Sequence, residues 1–344
     1  MKKSKHLPKA LRPLVEASIL EQIERRCVGN RGHNSRVLLG IGDDAALLKP
    51  AKSYALILTC DWFLEGTHFL RDKHPADAVG WKCLARALSD VAAMGGEPVC
   101  FLLSMALPAT HTGLWLDQFL RGLRRAAERF GCPLVGGDTT RNRSILLNVS
   151  VMGKVRPDAA LRRSTARSGD ILFTSGRLGE AERGLKVLRG SRHGFDKRDP
   201  ALRKHLYPEP RLALGRWLAE SRLATSMMDI SDGLSTDLPR LCAASGVGAQ
   251  IQAGSIPSVR LRKNEQKHSD TPLTLALHGG DGYELLFTVS GKNLRRIPRS
   301  FRGVSLTPIG KITKERTLLL IDQTGNAAPL PNRGWDPFRG RNRR

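Results

Sequence analysis

Residues 225–245 read TSMMDISDGLSTDLPRLCAAS. The apolar run at 225–230 has the length and composition of a buried strand, and 234–245 reads as a helix. Between them stand Ser231, Asp232 and Gly233, directly after Asp229. Outward from this unit, strands are expected at 37–39, 54–59, 99–107, 133–135, 145–155, 171–174, 247–252, 284–289, 304–313 and 316–321. Helices are expected at 9–26, 76–94, 113–130, 178–189 and 210–220, with a short one near 292–299. Strands and helices alternate, so the class is α/β (α+β) in two lobes. A turn-rich stretch, RPDAALRRSTARSGD, ends at Asp170 and separates them. The organisation expected is a basic tail and helix at 1–36, a first lobe at 37–158, a second at 159–338 and a basic tail at 339–344.

The chain has 344 residues, 40% of them hydrophobic, enough for a sizeable core. No apolar run spans a bilayer and no secretory signal is legible, so no membrane partner is expected. Six scattered cysteines without a CxxC pair argue against a disulfide framework or thiolate zinc site, and for a reducing cytoplasmic setting. Lys and Arg number 56 against 32 Asp and Glu, a formal net charge of +24. That balance suits a polyanionic partner. However, the basic residues are spread along the chain, aromatics are only 5%, and no nucleic-acid motif is present, so no specific nucleic acid is expected.

The scarce acidic residues recur in one context. Asp43-Asp44, Asp61, Asp90, Asp138, Asp229 with Asp232, and Asp281 sit at element ends beside Gly, Ser or Thr. Any one of them reads equally well as a turn or a helix cap. Together they place carboxylates at one end of the strands, where α/β proteins build sites. Converging carboxylates repel one another and call for cations. Oxygen ligands suit Mg²⁺, which keeps waters and shares substrate phosphates, and the adjoining glycines let backbone N–H groups approach phosphate oxygens. The pattern therefore points to nucleotide chemistry. No GxxxxGK[ST] is present and no HRD…DFG set, which excludes P-loop enzymes and protein kinases. GIGDDA (40–45) matches a relaxed dinucleotide fingerprint, but two carboxylates would occupy the pyrophosphate position, and the next segment reads as a strand.

GIGDDAALL (40–48), TCDWFLEGTHF (59–69), ALSDVAAMGGEP (87–98), LVGGDTTR (134–141), MDISDGLSTDL (228–238) and ALHGGDGYELLFTV (276–289) resemble, in order and spacing, the thiamine-monophosphate kinase family. That family belongs to the aminoimidazole ribonucleotide synthetase-like superfamily. The resemblance covers about residues 37–338. It implies a two-lobed fold, with a mixed N-terminal sheet that pairs in a homodimer and a C-terminal α/β lobe. It implies transfer of the ATP γ-phosphoryl to thiamine monophosphate, giving thiamine diphosphate and ADP, with several Mg²⁺ ions. Matched by motif, Asp44, Thr59, Cys60, Asp61, Asp90, Asp138, Asp229 and Asp232 take metal positions. Gly137, Asp138, Arg163 and Ser231 take ATP positions, and His68, Asp281 and Trp335 take substrate positions. No catalytic side chain is implied, because an anionic phosphate needs no strong base and the barrier is largely electrostatic and positional.

Each role has a plainer reading beside it: Arg163 as a solvated loop residue, Trp335 as C-terminal packing, His68 as a loop histidine. Asp237 is read as a helix or structural residue. Two departures stand out. Cys60 occupies a position where the family has Thr, and a neutral thiol is a poor Mg²⁺ ligand. Asp281-Gly282 replaces Glu-Asp, leaving the substrate pocket one methylene and one side chain short. The alternatives are a related ATP/Mg²⁺ enzyme acting on another small substrate, and a nucleic-acid-associated protein on the same scaffold.

Overall fold

The computed structural model describes residues 22–23, 25–26, 37–39, 47–48, 53–190, 198–262, 265 and 271–337. Most of the helix expected at 9–26 lies outside the described residues, as does GIGDDA with Asp44. Short strands β1 (Val37–Leu39) and β2 (Leu47–Leu48) pair antiparallel.

The first sheet has the order β3-β6-β4-β5, with β3 Ala55–Leu64, β4 Glu97–Leu107, β5 Leu134–Arg141 and β6 Leu146–Val155. Strand β4 runs parallel to β5 and antiparallel to β6. Helices α1 (Ala76–Ala93) and α2 (Leu114–Phe130) supply much of the buried packing for this sheet, including Leu84, Leu88, Val91, Phe119 and Leu123 against Phe63, Phe101 and Val149. Among the described residues the opposite face is open. Leu56, Leu58, Trp62 and Leu102 are all exposed there, Leu58 at 72%.

The second sheet has the order β14-β13-β9-β12-β7-β10-β8, with β11 (Ser300–Phe301) paired to β12. Its strands are β7 Ile171–Ser175, β8 Ala224–Ile230, β9 Gly248–Gln252, β10 Glu284–Val289, β12 Val304–Thr313, β13 Leu318–Ile321 and β14 Ala327–Pro329. The remaining helices are α3 Glu180–Gly190, α4 Pro200–Leu206, α5 Leu212–Glu220, α6 Leu234–Ser245 and α7 Pro272–His278. Residues of α6 and α7 fill one core of this sheet, and residues of α5 fill another. Glu284, 1% exposed, accepts from Ser175, Lys204 and Arg211, and so pins α4 and the start of α5 to β7 and β10.

Three differences from the sequence reading have physical causes. The strand expected to end at 135 continues as β5 to Arg141, because Leu102–Leu107 of β4 offers a matching ladder. Strand β3 likewise runs on through Asp61 to Leu64, paired throughout with β6. The seven-residue helices α4 and α7 were not foreseen; each opens on a proline with an Asp or Thr side chain capping it, a local signal rather than a periodic one.

Helix α1 joins the two cores. Its Val79, Leu84 and Leu88 belong to the first, while Ala92 and Ala93 pack with Leu214, Leu218 and Phe287 of the second. The approach of α2 is close enough that only glycine fits. A Cβ on Gly122 would lie 1.8 Å from the Asp77 carbonyl oxygen, and one on Gly80 2.0 Å from that of Phe119. Gly122→Ala is therefore expected to destabilise the protein by ~1–3 kcal/mol, read from the midpoint of urea denaturation.

Candidate active site

A cleft of about 550 Å³ opens where the two lobes meet. The first lobe contributes Asp61 from β3, Arg86 and Asp90 from α1, and His68 from the loop after β3; the second contributes Asp229, Ser231, Asp232, Asp281 and Trp335. Residues far apart in sequence, all but Arg86 singled out by their motifs, thus share one space.

One end is made of carboxylates. Thr59 Oγ1 donates to Asp90 Oδ2 at 2.5 Å, and Ser89 Oγ donates to Asp229 Oδ2 at 2.7 Å. Burial pushes both carboxyls up, the charge of Asp61 adds to the effect at each, and that of Asp90 adds to it at Asp229. Two acids so placed are uncomfortable as bare anions. Among the described residues, no group of three or more His, Cys, Asp or Glu side chains is arranged to hold an ion by itself. An oxygen-only set with too few ligands for a closed cage fits Mg²⁺ that completes its shell with water and phosphate. The donor chemistry therefore suits the ion expected from the sequence.

The other end is organised around Asp281. Lys82 Nζ, itself 1% exposed, donates to Asp281 Oδ2 at 2.8 Å, and Tyr283 Oη donates to Oδ1 at 2.7 Å. Behind Lys82, His205 and His74 are linked Nε2 to Nε2 at 3.0 Å. Burial opposes the Asp281 charge, but Lys82, His205 and Arg86 outweigh it and hold the carboxyl well below the usual range. Burial, helped by Lys82, lowers His74 to about 3, and burial, helped by Arg86, lowers His68 to about 4, so both are neutral imidazoles near pH 7. His68 Nδ1 accepts from the Leu64 amide at 3.0 Å, which leaves its other nitrogen to carry the proton. Asp281 and Tyr283 adopt φ of 60° and 50°, a left-handed backbone that bulky residues enter only when their surroundings enforce it. The enforcement is visible: the amides of Asp281 and Tyr283 donate to the carbonyls of Ser231 and Ile230.

That pairing ties Asp281 to the acidic turn after β8. Asp237, fully buried, accepts from the amides of both Ser231 and Asp232, so its reading as a structural residue agrees with its contacts. Arg240 bridges Asp232 and Asp237. The amide of Trp335 donates to the Asp232 carbonyl, and Gly334 passes so close to Thr236 that a Cβ would lie 2.3 Å from its Oγ1. The indole is 37% exposed at the mouth of the cleft.

The AIR synthase related protein N-terminal domain matches residues 42–155, and the corresponding C-terminal domain matches 167–322. The thiamine-monophosphate kinase of Synechococcus elongatus is 36% identical over 291 residues, 82% of this chain and 87% of that one. The chain belongs to the thiamine-monophosphate kinase family. The crystal structure of thiamine-monophosphate kinase from Stenotrophomonas maltophilia K279a has a TM-score of 0.77 at 34% identity, covering 92% of this chain and 98% of that one. AaThiL complexed with AMPPCP and TMP has a TM-score of 0.74 at 28% identity, covering 98% and 100%.

Not every residue picked out by the thiamine-monophosphate kinase motifs faces the cleft. Register carries Asp138 of β5 through Ser104 and Asn148 to Trp62, on the open face of the first sheet, while Thr59 and Asp61 point to the other face. Gly137 and Asp138 are exposed there. Cys60 is on that face too, its thiol exchanging hydrogen bonds with Asn148. Arg163 is exposed outside the lining, though its charge bears on Asp90. Asp44 lies outside the described residues.

Sequence reasoning passed over Lys82, Arg86 and Tyr283, which build the inner wall. The two cations sit inside a helical pattern read for its apolar face, and Tyr283 stands one residue before the run read as a strand at 284–289. Lys82→Met should remove the counter-charge of Asp281 and cost about 3–5 kcal/mol. Because Asp281 is depressed in the folded state, the stability it contributes is complete above the ordinary aspartate value of 3.8 and lost as pH falls below it. Lys82→Met should therefore flatten the acid limb of a stability-versus-pH curve measured by denaturant melts.

Proposed function

We infer that the chain transfers the γ-phosphoryl group of ATP to thiamine monophosphate, giving thiamine diphosphate and ADP. The observation that carries this reading is the cleft itself. In a chain of this family, the hydroxyl-capped pair of half-buried Asp90 and buried Asp229 faces His68, Asp281 and Trp335 across one space. AaThiL, similar over nearly the whole chain, has been solved with AMPPCP, an ATP analogue, and TMP.

In this reading Asp61, Asp90, Asp229 and Asp232 hold Mg²⁺, with Asp44, Thr59, Cys60 and Asp138 assigned by motif. The bound ions supply positive charge that neutralises the two phosphate groups. Ser231, in the cleft, contacts ATP, and Gly137 and Arg163, outside its lining, are assigned to ATP by motif alone. The substrate lies toward His68 and Asp281, with the Trp335 indole positioned to stack on a cationic ring. The residues of the chain orient two polyanions and exclude water between them; no side chain needs to take a proton from an acceptor that is already an anion. Residues 37–158 form the nucleotide and metal lobe and 159–338 the second lobe. No helix among the described residues is long and apolar enough to cross a membrane, and we place the enzyme in the cytoplasm.

The test is product formation from ATP, Mg²⁺ and thiamine monophosphate, resolved by chromatography. Thiamine diphosphate and ADP should appear one for one and vanish with EDTA; ATP binding without thiamine diphosphate would overturn the acceptor. Asp90→Asn should lower kcat by at least ~100-fold with an unchanged melting profile, since it removes one charge from the ion's ligand set.

We also propose a homodimer joined through the open face of the first sheet. Leu56, Leu58 and Trp62 of β3 and Leu102 of β4, two strands away across β6, are exposed on one face, more apolar surface than isolated exposed residues explain. Leu58→Lys is expected to halve the mass measured by light scattering. An unchanged mass, or a monomeric wild type, excludes this interface.

A further inference from the structure

We propose that Arg86 binds the phosphate group of the acceptor substrate. The identity of that acceptor rests on the function inferred above; the phosphate site does not. Arg86 lies one helical turn before Asp90 on α1, so the two side chains share a face of the helix. Its side chain is 15% exposed and lines the cleft. Both Nε and Nη1 are shielded from solvent and have no hydrogen-bond partner among the described residues. The nearest carboxylate, Asp61, stands 3.6 Å from Nε, an ion-pair distance but too long for a hydrogen bond. Asp281 is taken by Lys82 and Tyr283. The guanidinium is held from behind by the Phe63 ring, 5.3 Å from its centroid.

A rigid cationic fork with buried, unsatisfied N–H groups is an incomplete structure, because buried donors are normally paired. What completes it must be an acceptor that enters the cleft. Nε faces the side of Asp61, so a phosphate would meet the other edge, that of Nη1 and Nη2, and its charge offsets the desolvation of the guanidinium. Position selects which phosphate. Arg86 stands between the carboxylate end, with Asp61 and Asp90, and the end formed by His68 and Asp281. If the reacting groups meet between those ends, the acceptor's own phosphate is the one beside Arg86. The residue would then distinguish thiamine monophosphate from thiamine, a task that neither a stacking indole nor the neutral His68 performs.

Calorimetric titration of wild type, Arg86→Gln and Arg86→Lys with thiamine monophosphate, thiamine and inorganic phosphate tests this. In Arg86→Gln, affinity for thiamine monophosphate and for phosphate should fall by about 10–100-fold while thiamine binding is unchanged. Arg86→Lys, which keeps the charge without the fork, should fall between. In steady state, KM for thiamine monophosphate should rise with KM for ATP unaltered. Equal weakening for thiamine and its monophosphate, or phosphate binding that ignores the substitution, overturns the assignment even if turnover is normal. Phosphate binding that depends on Arg86 in a protein that makes no thiamine diphosphate supports the site and removes only the acceptor.

Discussion

Helix α1 is the element on which the rest depends. It is buried along nearly its whole length, packed by α2, by the first sheet and by the core of the second lobe. Backbones approach it so closely that glycine is required on both sides: Gly122 of α2 against Asp77, and Gly215 of α5 against Ala92, where a Cβ would lie 2.1 Å from the carbonyl oxygen. Such contacts lock the helix in rotation and translation. That matters because Lys82, Arg86, Ser89 and Asp90 all project from it toward the cleft or its inner wall. A small slide of α1 would misplace the cation beside Asp281 and the carboxylate beside Asp229 together.

The price of this arrangement is electrostatic. Like charges are buried near one another at Asp90 and Asp229, and the chain relieves them only partly, through the hydroxyls of Thr59 and Ser89. At the opposite end the same problem is solved completely, since Asp281 has a buried lysine and a tyrosine hydroxyl of its own. One carboxylate group is structurally satisfied and the other waits for a ligand. A solved and an unsolved charge problem within one cleft distinguishes the wall that shapes the pocket from the part that receives cations and phosphate.

Much of this was legible in the sequence. Apolar runs located β3, β4, β6, β8 and β10, and helical spacing located α1, α2 and α6, because each buries a regular face. The acidic motifs led to residues that meet in one cleft, since Gly, Ser and Thr beside Asp mark places where backbone and carboxylate approach a ligand. Less was legible where tertiary pairing decides. Nothing local tells that GGDTTR extends a strand, or that alternation sends Asp138 and Asp61 to opposite faces. Buried cations were also hidden. Periodicity treats Lys82 and Arg86 as polar-face residues, and only a helix covered on several sides turns them inward.

Strand β3 carries a further consequence. Its odd-numbered residues Thr59 and Asp61 serve the cleft, and its even-numbered residues Leu58, Cys60 and Trp62 form the open apolar face. With a side-chain period of two, one residue inserted or deleted before Thr59 would exchange the two sets at a stroke. The cleft and the proposed subunit interface thus draw on the same ten residues on alternate letters. Neither text tolerates a frame change, so this strand should vary across evolution by substitution at single positions and hardly ever in length.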